Sequence, residues 1–201
     1  TFAALPAKTF GDAAFSLGAT ASSGLAVSYA SSNTSVATIS GNTVTIVGAG
    51  STTITASQAG NANYNAATSV PQTLTVNKAS QTITFATLPV KTFGDAAFSL
   101  GATASSGLAV SYASSNAAVA TVSGNTVTIV GAGSTTLTAS QAGNANYSAA
   151  TNVPQTLTVD KASQTITISP IADKPVSAAP FAVSASATSG LSLTYAITSG
   201  P

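Results

Sequence analysis

The 201-residue chain has no cysteine, methionine, tryptophan or histidine, and no arginine or glutamate occurs among its charged residues. Zero cysteine excludes a disulfide framework. Without histidine, cysteine or glutamate, only a Ser–Lys pair or an aspartate could act as nucleophile or base, which excludes most enzyme chemistries. Charged residues make up 4% of the chain: Lys8, Lys78, Lys91, Lys161 and Lys174 against Asp12, Asp95, Asp160 and Asp173, for a net charge of +1. The lysines are dispersed. Neither nucleic-acid phosphates nor an anionic membrane surface would meet a basic cluster, so no nucleic-acid partner is expected. No apolar run approaches the roughly 20 residues of a spanning helix, because threonine and serine interrupt every stretch, so no membrane insertion is expected of this segment. Aromatic residues are 6% of the total, so any core rests on Val, Ile and Leu with a few Phe and Tyr.

What is present is a repeat. Thr1-Phe2-Ala3-Ala4-Leu5-Pro6 returns as Thr84-Phe85-Ala86-Thr87-Leu88-Pro89. Residues 1–83 align with 84–166 without a gap. They differ only at Ala4/Thr87, Ala7/Val90, Thr34/Ala117, Ser35/Ala118, Ile39/Val122, Ile54/Leu137, Asn65/Ser148, Ser69/Asn152 and Asn77/Asp160. A less faithful third block keeps the frame, since Phe181 follows Phe98 and Phe15, and Tyr195 follows Tyr112 and Tyr29, at the same spacing. A period of 83 residues exceeds the roughly 20–50 residues of a solenoid repeat and suits a small independent domain. The seams fall near Asn77-Lys78-Ala79-Ser80 and Asp160-Lys161-Ala162-Ser163, where one strand-like run ends and the next begins. Linkers this short restrict their neighbours more than a long Gly/Ser tether would. The expected division is a first repeat over 1–79 that lacks the start of its first strand, a second over 80–162, and a truncated third over 163–201. Both ends read as cut from a longer array.

Within a repeat the pattern is that of short strands. In the second copy Gln81–Ala86 alternates polar and apolar residues, and Ala97–Ala104 places Phe98, Leu100, Ala102 and Ala104 on one face. Ala109–Ser114 and Val119–Val122 follow. Gly124-Asn125 then stands between two alternating runs, a two-residue hairpin signal. Gly131-Ala132-Gly133 leads into Thr135–Ser140, and Val153–Val159 closes the unit with Pro154 at its start, where a missing N–H is tolerable. Lys91-Thr92-Phe93-Gly94-Asp95 reads as a loop. No segment has a helical apolar period. About seven short strands with regularly spaced turns predict an all-β fold, a tandem array of immunoglobulin-like β-sandwiches.

The run Val110-Ser111-Tyr112-Ala113-Ser114-Ser115-Asn116, with Val119-Ala120-Thr121-Val122, Gly124-Asn125-Thr126-Val127-Thr128 and Gly131-Ala132-Gly133-Ser134-Thr135-Thr136-Leu137-Thr138-Ala139, resembles the bacterial immunoglobulin-like (Big, group 2) domains of intimin- and invasin-type adhesins. The same run stands at Val27–Ala56. Gln141-Ala142-Gly143-Asn144-Ala145-Asn146-Tyr147 and its copy at Gln58–Tyr64 resemble tandem Ig-like repeats of giant secreted bacterial proteins. The resemblance implies a β-sandwich on a cell-surface or extracellular bacterial protein. Function does not follow from such a fold, because these motifs are core and turn positions. The chain departs from the family in having almost no charge for its solvated faces.

Each candidate site has a plainer reading beside it. Val47-Gly48-Ala49-Gly50-Ser51-Thr52-Thr53 imitates a phosphate loop, but a strand rather than a helix is expected to follow it. Lys78/Ser80 and Lys161/Ser163 are the nearest Ser–Lys pairs and lie at the seams. A self-formed Lys–Asn isopeptide bond would need Lys91 and Asp95 beside a strand asparagine. Calcium wants six to eight oxygens with several carboxylates, and Asp160 is the only acid at a seam, replaced by Asn77 in the first copy. Recurrent Thr-x-Thr, as at Thr126/Thr128 and Thr136/Thr138, suits an ice- or surface-binding face only on a flat sheet, and sandwich sheets twist. No catalytic, cofactor or metal site is expected.

The leading expectation is a non-catalytic stalk or spacer whose partners are the neighbouring repeats of its own chain. The scarcity of charge supports an alternative. Sandwiches usually guard their edge strands with lysine or inward charges, and their absence would favour lateral self-association into a filament or sheath. A third reading is a glycan- or protein-binding module using the loops at Gly143–Ser148 or Ser105–Leu108.

Overall fold

A computed structural model describes residues 1–198; Ser199, Gly200 and Pro201, which close the expected third repeat, lie outside the described residues. Every regular element among those residues is a β-strand. The first set is β1 (Lys8–Thr9), β2 (Phe15–Ser16), β3 (Ser28–Ser31), β4 (Ala37–Ser40), β5 (Thr43–Ile46), β6 (Gly50–Ser57) and β7 (Val70–Asn77). They form two sheets, ordered β1-β7-β6-β3 and β2-β5-β4. All pairings are antiparallel except β1 with β7, which run parallel with Lys8 opposite Val76.

The strands form where β-branched residues alternate with small polar ones. In β6, Thr52, Ile54 and Ala56 are buried while Ser51 stays exposed. In β7, Leu74 and Val76 are buried between exposed threonines. Val44 on β5 and Ala37 on β4 close the core from the second sheet, with Phe2, Leu17 and Val36 around them. This is a sandwich: two sheets whose inner faces share one apolar layer. The one buried hydroxyl in that layer is satisfied, because Thr52 Oγ1 lies 2.9 Å from Ser31 Oγ and accepts the Asn33 N–H at 2.9 Å.

The second set repeats the first. It comprises β8 (Ile83–Thr84), β9 (Lys91–Thr92), β10 (Phe98–Ser99), β11 (Thr103–Ala104), β12 (Ser111–Ser114), β13 (Ala120–Ser123), β14 (Thr126–Ile129), β15 (Gly133–Ser140) and β16 (Val153–Asp160). Its sheets are ordered β12-β15-β16-β9 and β10-β14-β13, with β8 paired to β11. A separate core of Ile83, Phe85, Leu100, Val119, Ala120, Val127, Leu137, Ala139, Leu157 and Val159 lies between them. The Gly124-Asn125 hairpin is present: Ser123 pairs with Thr126, and Gly124 takes φ +59° while Asn125 does not have a positive φ, the pattern of a II′ turn. Pro154 sits opposite Thr138 on β15. The other neighbour of β16, the short β9, reaches only Val159 and Asp160, so the missing N–H faces an open edge.

Two expectations are corrected. Lys91–Asp95 is not a plain loop, because Lys91 and Thr92 form β9, parallel to the end of β16. The Phe93 N–H then bonds to the Asp160 carbonyl at 2.8 Å. A parallel pair carries no hairpin signature, which is why local sequence hides it. The expected single strand over 97–104 is interrupted at Leu100-Gly101-Ala102 into β10 and β11. Its alternation persists, with Phe98, Leu100, Ala102 and Ala104 turned inward. The break follows from a change of partner: β10 pairs with β14, whereas β11 pairs with β8.

Beyond β16, β17 (Ile166–Ile168) and β18 (Ala185–Ala187) pair antiparallel. Ile166 and Ile168 remain exposed there, and no third buried core forms among the described residues.

Candidate functional site at the seam between the two cores

The residues that could carry chemistry do not converge. Lys91 Nζ stands 4.8 Å over the Phe98 ring, as Lys8 does over Phe15. Asp95 accepts the Thr92 N–H at 2.9 Å, as Asp12 accepts that of Thr9. The Lys91/Asp95 pair is thus spent on two local contacts rather than aimed at an asparagine. Asp160 ends β16, and no cluster of three or more metal-ligating His, Cys, Asp or Glu exists among the described residues. Gly48-Ala49 leads into strand β6 at Gly50, where a helix would have to follow in a phosphate loop. No helix among the described residues is long and apolar enough to cross a membrane.

The residues that do converge join the two cores. Gln141–Tyr147 folds into a tight loop. Asn144 Oδ1 accepts the N–H groups of Asn146 and Tyr147 at 2.8 and 2.9 Å, and the Asn144 N–H donates to the Tyr147 carbonyl at 3.0 Å. Asparagine suits this position because its side chain can imitate a backbone turn. Gly143 adopts φ +78°, and a Cβ there would lie 2.3 Å from the Tyr147 carbonyl oxygen. Only glycine fits that approach.

So shaped, the loop presents three groups to the first core. The Tyr147 ring meets Phe10 edge-on, with centroids 5.5 Å apart and planes at 82°. Asn146 Oδ1 accepts the Ala49 N–H at 2.9 Å. The Asn144 carbonyl accepts from Lys78 Nζ at 2.7 Å. Gly48 makes room for this contact, since a Cβ on it would stand 2.7 Å from the Ser35 carbonyl oxygen and 3.3 Å from Asn146 Oδ1.

The linker is held as well. The Ala79 N–H donates to the Asn146 carbonyl and the Ala79 carbonyl accepts the Ser148 N–H, both at 2.9 Å, a parallel bridge between Ala79 and Tyr147. Gln81 follows, buried. Its Nε2 donates to Gln141 Oε1 at 2.6 Å and to the Ser148 carbonyl at 2.8 Å, while its Oε1 accepts from Ser106 Oγ at 2.5 Å. A buried carboxamide with all of these partners rigidifies its surroundings. Ile83 then enters the second core.

The sequence placed a seam here but not its parts. Phe10, Asn146 and Gln81 escaped notice because Phe10 lies in a segment read as loop and the other two are neutral amides in polar stretches. A signal existed: an aromatic on a loop, in a chain with so few aromatics, calls for a partner. The loop Gly143–Ser148, considered above as a ligand-binding loop, is occupied by this contact.

No family model matches this chain, nor does any curated protein. Among solved structures, domains 1–6 of the surface layer protein SbsC are 21% identical over 71% of this chain and 21% of that one, with a TM-score of 0.36. For Drosophila N-cadherin EC1-4 the values are 14% identity, 74% of this chain, 44% of that one and 0.32. For the C-terminal fragment of intimin, solved with the intimin-binding domain of its translocated receptor, they are 18%, 71%, 53% and 0.28. The chain spans about a fifth of the length of that surface layer structure. At these scores the assignment of an all-β sandwich rests on the chain's own strand pairings.

Proposed function

We propose that the chain is a non-catalytic structural segment of an extracellular or cell-surface protein, a stalk in which sandwich units divided at 79/80 and 162/163 are held end to end. The seam carries this reading. A flexible tether needs no fitted joint, whereas here the ring pair, the Asn146–Ala49 bond and the Lys78–Asn144 bond act at separate points beside a paired linker. Contacts at several points resist bending and twisting together. Eight-residue strands such as β6 and β7 give each unit a length of about 27 Å, so repetition extends the rod. The poverty in charge and in catalytic side chains supports a passive role.

Small-angle scattering of the full chain tests this. A rod-like profile should be lost when Asn146→Ala and Tyr147→Ala are combined, with circular dichroism unchanged. A profile indifferent to both substitutions would sink the rigid-joint reading.

One observation favours a second reading, lateral assembly. Strands β3 and β4 are edges of their two sheets and carry Ser-Tyr-Ala-Ser and Ala-Thr-Ile-Ser without a charge. Unguarded edges are templates for pairing with another chain. Sedimentation at rising concentration separates the readings: a monomer throughout supports the stalk alone, and growing oligomers abolished by Ala30→Lys, at an exposed position of β3, support assembly.

A further inference from the structure

The turn that joins β3 to β4 and its copy between β12 and β13 differ in chemistry but not in shape. The first reads Asn33-Thr34-Ser35, the second Asn116-Ala117-Ala118. Both asparagines organise the turn alike. Asn33 Oδ1 accepts the Ser35 N–H and the Asn33 carbonyl accepts the Val36 N–H, each at 3.1 Å. Asn116 accepts from Ala118 and Val119 in the same way, again at 3.1 Å. The fold therefore asks nothing of the Ser35 hydroxyl, since alanine serves in its place one period later.

That hydroxyl nevertheless donates to Asn33 Oδ1 at 2.6 Å. Because the Ser35 N–H must also meet an oxygen, the carbonyl is the bonded end of the side-chain amide, and Nδ2 makes no hydrogen bond among the described residues. Asn33, Thr34 and Ser35 are all exposed. An exposed Asn-x-Ser turn with a free amide nitrogen is what a glycosyltransferase accepts. The chain has one other such triplet, Asn146-Tyr147-Ser148, and the seam occupies it. Asn146 is half-buried with its Oδ1 on the Ala49 N–H, and the Ser148 N–H is held by the Ala79 carbonyl.

We infer that Asn33 is an acceptor site for an N-linked sugar. Its co-reactant is a sugar carried on a diphosphate. The bond from Asn33 Nδ2 to the sugar C1 forms as the bond from C1 to the diphosphate oxygen breaks. The diphosphate leaves with the electron pair, and the amide gives up one proton to a base of the transferase. The place gives the sugar a use. Asn33 lies between β3 and β4, the uncharged edges of their two sheets, and a bulky hydrophilic group there guards edges that no lysine guards. The inference rests on the extracellular reading, because glycosylated asparagines belong to surface loops of secreted proteins.

The test is incubation of the purified, folded full chain with UDP-glucose and a soluble N-glycosyltransferase, first shown to be active on a peptide copying residues 31–37. Peptide mass mapping should find one hexose, on Asn33, and none on Asn116 or Asn146. Ser35→Ala should lose the modification with circular dichroism unchanged, because the second unit builds the same turn with alanine. Ala118→Ser should gain a second hexose, at Asn116. No transfer to Asn33 of the folded chain, transfer to Asn146 at the same rate, or an Ala118→Ser chain that gains nothing overturns the site. The reaction is run on purified protein, so none of these results bears on where the protein resides. Finding the protein only inside the cell would sink the extracellular reading and leave the acceptor chemistry of Asn33 intact.

Discussion

The ring of Tyr147 packs edge-on against Phe10 across the seam, 5.5 Å between centroids, so an aromatic from each unit meets at the joint. Edge-to-face pairs of this kind contribute about 0.5–1.5 kcal/mol beyond their area. A double-mutant cycle with Phe10→Ala and Tyr147→Ala, read by urea unfolding of the whole chain, should return a coupling of about that size. Tyr64→Ala, which removes a side chain that is 52% exposed, should change stability by less than about 0.5 kcal/mol. Equal effects of the two tyrosine substitutions would contradict the joint.

Gln81 is the most thoroughly bonded side chain of the linker. Gln81→Ala leaves Ser106 Oγ, Gln141 Oε1 and the Ser148 carbonyl without that partner. Buried groups deprived of a partner cost about 1–3 kcal/mol. Thermal unfolding should show that loss, and hydrogen exchange should place it at Ala79 and Ser148, whose amides the linker bridge protects.

Glycines of similar φ should differ in their tolerance of alanine. Gly124 takes φ +59° with open space around the missing Cβ, whereas Gly143 takes φ +78° with the Tyr147 carbonyl 2.3 Å away. Gly124→Ala should cost about 1–2 kcal/mol from the left-handed backbone alone. Gly143→Ala must also move the turn, and should cost more and weaken the Phe10–Tyr147 coupling. Calorimetry of the two variants checks the order.

The lysine over each phenylalanine is a small contribution made twice with the same geometry. Lys91→Met keeps the apolar stem and removes the charge above Phe98. The expected loss is about 0.5–1 kcal/mol, measured by urea midpoint, with Lys8→Met giving a matching value from Phe15. A neutral Lys91→Met would show the contact to be packing only.

Much of the fold was legible before any coordinates. The alternation in Thr135–Ser140 and Val153–Val159, the Gly124-Asn125 turn and the long period can be read along the chain, and each became a strand, a hairpin or a repeated core. The short parallel strand Lys91–Thr92 was not legible, because its pairing with Val159 and Asp160 joins residues far apart in sequence. The break of 97–104 was hidden too. A change of partner leaves the alternation of side chains intact, so periodicity cannot report it.

The seam marks the boundary between the two kinds of knowledge. By itself the sequence determined an all-β chain, its turns, its repeat, and the absence of residues able to support most catalysis. Those properties follow from local backbone preference, side-chain period and composition. It could not determine which polar residues hold the repeats together. Asn146 and Tyr147 stand in a polar stretch whose local sequence names no partner, yet Tyr147 packs on Phe10 and Asn146 accepts the Ala49 N–H. Only the tertiary structure decides this, because burial and hydrogen bonding depend on which surface lies opposite.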